Sequence, residues 1–437
     1  MTGHQSPIWL RVVKIGVPIG VIFGLAYIDF ASFYSLGYQE IYKHHSKGIA
    51  VALWVLGGFS QFVMFLYWIL MFVIGPGKSP VFQPLNLYGT DDPNLIPCPD
   101  IFPCDEYGYP EYNSNARSIV TARTFYLKDM GYMVLKFDHF CLWIGTVVGE
   151  TNYLFFMKYC QWFLTYFVVI LIFLIRYTPL NIGRGGEINH NFIPLYVMCG
   201  MWILMIGALF GTHFYYIVIN KVTLDQVSEN QKRSFERWQN SHKDDKKKRP
   251  KPREETGWRY INVKKDNLRL VVQYGINDRV YDMGAKKNFI NLVYNGNRNH
   301  GLEELFYTTQ KYFVALAILF IPFVDIYNGF KYAKRPPIDP EIGSLQERKR
   351  MEFESYSCKL NDDFLQHVYG KIERKECYIA QYIRLPQEHQ KPPEDEREPQ
   401  KEASTEIKSE TKSETGSEMV SPLKNSTESG SPRSSQQ

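Results

Sequence analysis

Four apolar blocks constrain this sequence more than anything else in it. They lie at about Val12–Leu36, Gly48–Ile74, Tyr153–Tyr177 and Phe192–Asn220 of a 437-residue chain. A helix needs about 20 mainly apolar residues to cross a bilayer, and every block is long enough. Aromatic residues crowd the block ends, as interfacial belts do. Buried helices of a soluble protein would not repeat this length four times. The blocks predict an all-α polytopic membrane protein. It has four transmembrane helices and a small irregular loop domain between the second and third.

Charge placement orients it. Lys221 follows the fourth block and "HKDDKKKRPKPR" comes soon after, so the positive-inside rule puts that side in the cytosol. Four crossings then return the N-terminus to the cytosol, and Cys141 falls on the reducing face just before the third crossing. The predicted division is a cytosolic N-terminus at 1–11, helices one and two within 12–74, and a cytosolic catalytic loop domain at 75–152. Helices three and four follow within 153–220, then a cytosolic C-terminal region at 221–384 and a disordered tail at 385–437. The tail is charged and poor in aromatic and β-branched residues, too little to offset chain entropy by burial. Seven unevenly spaced cysteines argue against a disulfide framework. No cleavable signal pattern precedes the first block.

A fifth apolar segment, "YFVALAILFIPFVDIY" at Tyr312–Tyr327, is shorter and carries Pro322 and Asp325. It reads as an interfacial, non-spanning element. The basic run near Lys246 is either a lipid-facing patch or a solvated linker.

Chemistry concentrates in "KFDHFCLWIGTVVGETNY", Lys136 to Tyr153. Only a few per cent of a free thiol ionises at cytosolic pH, because its pKa is about 8.5. An imidazole can take the proton, and a carboxylate can hold that imidazole in the useful tautomer. Cys141, His139 and Asp138 supply these groups in that order. At a cytosol–membrane boundary the fitting electrophile is a thioester with a long hydrocarbon tail. An acid, a histidine and a cysteine this close also arise by chance, and a lone buried cysteine is usually inert.

Neighbouring residues carry a resemblance. "DHFCLWIGTVVGETN", preceded by two crossings and a cytosolic loop, resembles the protein S-acyltransferases named for their Asp-His-His-Cys motif. Asp138, His139, Cys141, Trp143, Gly149 and Asn152 stand in that pattern. "ARTF" (Arg123, Thr124) fits the family's Arg-Ser/Thr step, and "YDMGAKKNFINLVYNG" its Asn-containing motif, with Gly284 and Asn288 in register. "KVTLDQ" (Thr223, Asp225) is a weak echo of its Thr-Thr-x-Glu motif. The match runs from about Lys14 to Gly296. It implies a two-step transfer in which Cys141 takes a palmitoyl-class chain from acyl-CoA and passes it to a substrate thiol. His139 would be the base and Asp138 its orienting carboxylate.

The departures are as informative. The family holds two structural zinc ions with eight Cys and His ligands. Counted without gaps, those positions here hold Asn113, Ala116, Tyr126, Leu127, Met130, Met133, Phe140 and Val147. None is a plausible zinc ligand, so neither a metal nor any other cofactor is expected beside the acyl-CoA co-substrate. Five are apolar, and hydrophobic packing is expected in their place, helped by membrane contact and the Asn288 segment. Phe140 replaces a ligand rather than the base. In this the sequence looks like a divergent fungal branch that tolerates an aromatic residue there.

By the same resemblance, Trp143 and Tyr166 are candidate acyl-CoA contacts, Trp143 beside the thioester and Tyr166 at the chain's far end. An interfacial anchor and an ordinary helix-packing tyrosine are the competing readings. Asp29 and His213 are intramembrane ionisable groups, functional by default but without an assigned role. Arg123, Lys128 and Lys136 either meet CoA phosphates or form a solvated basic loop. Asn288 reads as a structural anchor. The expected partners are palmitoyl-CoA, proteins with exposed cysteines and the bilayer of the plasma membrane or an endomembrane, with no nucleic acid. A catalytically silent scaffold of the same fold is the alternative. A transporter comes third, because internal symmetry is missing.

Overall fold

The computed structural model describes residues 8–241, 258–275, 278–294, 307–333, 338–341 and 343–384. The tail at 385–437 and the basic run near Lys246 lie outside the described residues.

Four helical stretches are long and apolar enough to cross a membrane: Trp9–Tyr42, Lys47–Ile74, Tyr153–Gly185 and Phe192–Val218. The first is α1 (Ile8–Asp29) continued by a π-helical stretch, Phe30–Tyr42; the others are α2, α3 and α4. The first and third run well past the apolar blocks because their polar residues are satisfied inside the bundle. Glu40, buried among the helices, accepts from Asn181 Nδ2 at 2.6 Å and from Arg184, and pairs with His45 Nε2 at 2.9 Å. A buried carboxylate is tolerable only when paired in this way. The apolar faces meet in one large core that includes Leu53, Tyr67, Phe163, Phe167 and Trp202.

The loop between α2 and α3 carries short strands. β1 (Leu85–Asn86) pairs with β2 (Ile96–Pro97), and β3 (Ile101–Cys104) follows. Three hairpins come next: β4–β5 (Tyr112–Asn113, Ser118–Ile119), β6–β7 (Phe125–Leu127, Tyr132–Val134) and β8–β9 (His139–Cys141, Thr146–Val148). After α4 come α5 (Thr223–Ser241), the long hairpin β10–β11 (Trp258–Lys265, Leu268–Gly275) and α6 (Ala285–Tyr294). The chain continues through α7 (Thr309–Phe320), α8 (Val324–Ala333), α9 (Leu345–Ser355), α10 (Asp362–Glu373), β12 (Tyr378–Ile379) and α11 (Gln381–Arg384).

The membrane part is helical, as the apolar blocks require. The sequence reading did not anticipate the four-stranded sheet β12-β11-β10-β3 on the loop side. It joins the loop to the C-terminal region, since β10 pairs with β3 while β11 pairs with β12. Both regions therefore lie on one side of the helix bundle.

The sheet also decides the path of the fifth apolar segment. α7 and α8 meet at a bend of 106°. β11 precedes this pair, β12 follows it, and the two strands are neighbours, so the chain leaves on the side it entered. A buried ion pair locks the bend in place. Lys158 Nζ on α3 lies 2.6 Å from Asp325 Oδ1, which also accepts from Tyr67 OH at 2.7 Å. The same lysine donates to Ile321 O at 2.5 Å, and Phe323 N–H donates to Tyr67 OH at 3.0 Å. Losing one partner of such a buried pair costs about 3–5 kcal/mol, because the other charge is stranded.

Candidate active site

Alternation along β8 sorts its residues. Successive strand side chains point to opposite faces, so His139 and Cys141 share one face and Phe140 takes the other. The shared face looks toward the helix bundle. Cys141 is 5% exposed and belongs to the same core as Ile144, Tyr159 and Phe163.

The turn after Cys141 is held by the membrane helices. Gly145 N–H closes it onto Cys141 O at 2.8 Å. Its φ of +80° favours glycine, and a Cβ there would stand 2.9 Å from Pro18 on α1. From α2, Trp68 Nε1 donates to Ile144 O at 3.0 Å. The Trp143 ring lies 5.8 Å from Trp202 on α4 and is 44% exposed, at the rim. Past β9, Gly149 N–H donates to Asn152 Oδ1 at 2.9 Å, while Asn152 Nδ2 donates to Val147 O at 2.8 Å. A Cβ on Gly149 would fall 2.5 Å from Pro76 O. Gly149 and Asn152 thus shape the turn into α3.

The acid, imidazole and thiol form a linked set. His139 Nδ1 donates to Asp138 Oδ2 at 2.6 Å, and Cys141 lies two residues on along the same face of β8. Asp138 is fixed from the other side by Thr223, whose N–H donates to Oδ1 at 2.9 Å and whose hydroxyl donates to Oδ2 at 2.8 Å. Burial by itself pushes the His139 imidazole down. Its hydrogen bonds to Asp138 and Cys141 and their charges outweigh this, so it is held up at about 9. Burial likewise raises Asp138, but the bond and charge of His139, with Thr223, bring it below the usual carboxylate range. The set thus favours an imidazolium between two potential anions.

Tyr166 sits apart from this set, fully buried further along α3, with its hydroxyl donating to Asp29 Oδ1 at 2.6 Å. Asp29 accepts from Gln61 Nε2 at 2.5 Å as well. Arg123 and Lys136 have structural partners. Arg123 donates to Asn220 O at 2.7 Å and Asp225 Oδ2 at 2.9 Å, and Lys136 donates to Asn220 Oδ1 at 2.9 Å. Burial, then the nearby Arg123, pushes the Lys136 ammonium below its ordinary range. Asn288 Nδ2 donates to Val218 O at 2.7 Å, anchoring α6 to the end of α4. Thr223 was legible only as a motif echo, and nothing in the sequence pairs it with Asp138, 85 residues away.

The former ligand positions do not fit zinc. Leu127, Met130, Phe140 and Val147 converge with Val134, Phe137 and Leu224 in one apolar cluster. Tyr126 and Met133 face each other across β6–β7, and Asn113 Oδ1 accepts from Ala116 N–H at 2.9 Å. Among the described residues, the one group of three His, Cys, Asp or Glu close enough to share an ion is Asp138, His139 and His213. There the first two already bond each other.

Residues 106–231 match the family described as DHHC palmitoyltransferase. The chain is 45% identical over 379 residues to Palmitoyltransferase PFA5 of Candida albicans, covering 85% of this chain and 93% of that one. It is 32% identical to the Kluyveromyces lactis protein of that name over 209 residues, 45% of this chain and 58% of the other. To the Saccharomyces cerevisiae one it is 25% identical over 248 residues, 52% and 65% of the two chains. Identity of that extent, added to a family match that spans the hairpin of Cys141, places the chain in the DHHC palmitoyltransferase family.

Proposed function

We propose that this protein S-palmitoyltransferase works through a thioester on Cys141, with His139 carrying the proton and Asp138 orienting it. One observation carries the reading: His139 joins a buried carboxylate at 2.6 Å and shares one face of β8 with the Cys141 thiol. An imidazole held at about 9 keeps its proton at neutral pH, ready for the thiolate that CoA becomes on leaving.

The two steps balance. In the first, the Cys141 thiolate attacks the acyl-CoA carbonyl and a new carbon–sulfur bond forms. The bond to CoA breaks, and the departing thiolate takes the proton from His139. In the second, a substrate cysteine gives its proton to His139 and attacks the Cys141 thioester. The acyl group moves to the substrate, and Cys141 leaves as thiolate beside a renewed imidazolium. Both steps are near-neutral thioester exchanges, so the protein's task is positioning and proton custody.

The acyl chain lies among the helices, with Trp143 beside the thioester and Tyr166 at its end. That supports a C16-class donor, palmitoyl-CoA, and proteins with accessible cysteines as acceptors. The active site and both termini face the cytosol of a plasma membrane or endomembrane, as the basic residues after α4 support. The loop domain folds without zinc, its apolar cluster taking the place of metal ligation, and no cofactor takes part.

The test is labelling with a clickable palmitoyl donor. The wild-type chain takes up hydroxylamine-labile label, and Cys141→Ser takes up none. Equal labelling of that variant would leave an ordinary acylated scaffold. Metal analysis of the purified protein should find no stoichiometric zinc, and two ions per chain would overturn the metal-free reading.

A further inference from the structure

His213 stands behind the catalytic pair, on α4, and no step above uses it. It is 4% exposed. Its Nδ1 makes a 2.9 Å hydrogen bond with Tyr153 OH, in the first turn of α3. The same nitrogen lies 3.9 Å from Asp138 Oδ2, too far for a hydrogen bond. His213 is therefore no rival to His139 for the carboxylate. Its ring centroid is 5.4 Å from that of His139, and the edge of Phe156 meets both rings, at 5.2 and 4.9 Å.

The geometry constrains the base in one remaining degree of freedom. Thr223 pins Asp138, and Asp138 pins His139 through Nδ1, but a single hydrogen bond leaves the ring free to rock about it. Phe156 and His213 close off that rocking and keep the other ring nitrogen turned to Cys141. A phenyl ring could supply the bulk alone. The imidazole also bonds the Tyr153 hydroxyl, which a phenyl ring could not do. Tyr153, with Tyr216, Lys136, Glu150 and Asn220, lines a small pocket at the end of α4. Tyr153 links the pocket wall to His213, which lies 3.9 Å from the fully buried Asp138 carboxylate. Water reaching that carboxylate would screen its pairing with His139.

We propose that His213, tethered by Tyr153, is a positioning residue for acyl transfer that fixes the His139 ring on the Cys141 side and keeps the Asp138 carboxylate dry. The proposal rests on the Cys141–His139 reading above. The titratable groups facing His213 are Asp138 and His139 from the loop, Tyr153 from α3, and Tyr216 from α4, 5.5 Å away ring to ring.

The test is the rate at which iodoacetamide alkylates Cys141, mapped by peptide mass spectrometry on the full chain in detergent across pH 6–9. This reports the thiol–imidazole pair without acyl-CoA. His213→Leu should slow alkylation at pH 7 about tenfold and move the profile to more alkaline pH, one pH unit being a factor of ten. His213→Gln, which keeps a polar partner for Tyr153, should recover most of that loss. If the leucine chain aggregates, Tyr153→Phe carries the test, with an expected fall of about threefold. Wild-type rates and profiles in both His213→Leu and Tyr153→Phe, beside a slowed His139→Gln, would overturn this inference alone. A wild-type profile in His139→Gln would overturn the underlying base assignment instead.

Discussion

The two faces of β8 have opposite fates. On one, His139 and Cys141 meet Asp138, Thr223 and the membrane core. On the other, Phe140 joins Leu127, Met130 and Val147 in an apolar cluster at positions where the family keeps zinc ligands. A period of two separates them, so each face can change while the other is kept. Scaffold and chemistry are therefore independent here although their residues alternate. Phe140 can therefore pack in the apolar cluster while His139, on the opposite face, keeps its bond to Asp138.

Substitutions on each face should behave differently. The largest effect is expected from His139→Gln, which keeps a bond to Asp138 but removes the base. Palmitate labelling should fall by about 10²–10⁴-fold with little change in thermal midpoint. A comparable fall in midpoint would mean the two faces are not separable. Phe140→Ala should do the reverse. It should cost about 2 kcal/mol, below the about 3–5 of a fully buried phenylalanine, because this ring is only half-buried. Labelling per folded molecule should stay within a few-fold of wild type. Phe140→His restores the family's residue without its three companions. It should destabilise by about 1–2 kcal/mol through a poorly paired polar group and take up no zinc by metal analysis. Stoichiometric zinc in that variant would show that the apolar cluster still hides a usable site.

The smallest expected effect is a pH dependence of the polar face. His139 is raised in the folded chain to about 9 from 6.5. Its pairing thus stabilises fully below about pH 6.5, and that contribution is lost as pH rises through about 9. Asp138, lowered on folding, stabilises above its ordinary range and loses that contribution only in acid. The wild-type thermal midpoint should decline between pH 6.5 and 9, and His139→Gln should flatten this slope while Phe140→Ala keeps it.

What the sequence made legible follows from distance along the chain. Asp138, His139 and Cys141 are neighbours, so their chemistry could be read directly. Four apolar blocks announced four helices by length alone. The sheet could not be read, because β3 finds its partner β10 about 160 residues later. Thr223, at the start of α5, read only as a motif echo, and His213, on α4, as an intramembrane ionisable group without a role, until tertiary packing brings both near the Asp138 carboxylate. Lys158 stands within the third apolar block, and its partner Asp325 is 167 residues away. The first helix outran its apolar stretch because Glu40 finds Asn181 and Arg184 on α3, information that local hydropathy does not hold.

The central claim is that one sulfur on one face of β8 carries the acyl group between donor and acceptor. Rapid-quench of the purified enzyme with labelled palmitoyl-CoA, followed by peptide mapping, tests it most directly. A burst approaching one label per chain on the peptide containing Cys141, discharged when an acceptor thiol is added, is the predicted result. Label residing on another cysteine, or a Cys141 label that the acceptor does not remove, would contradict it.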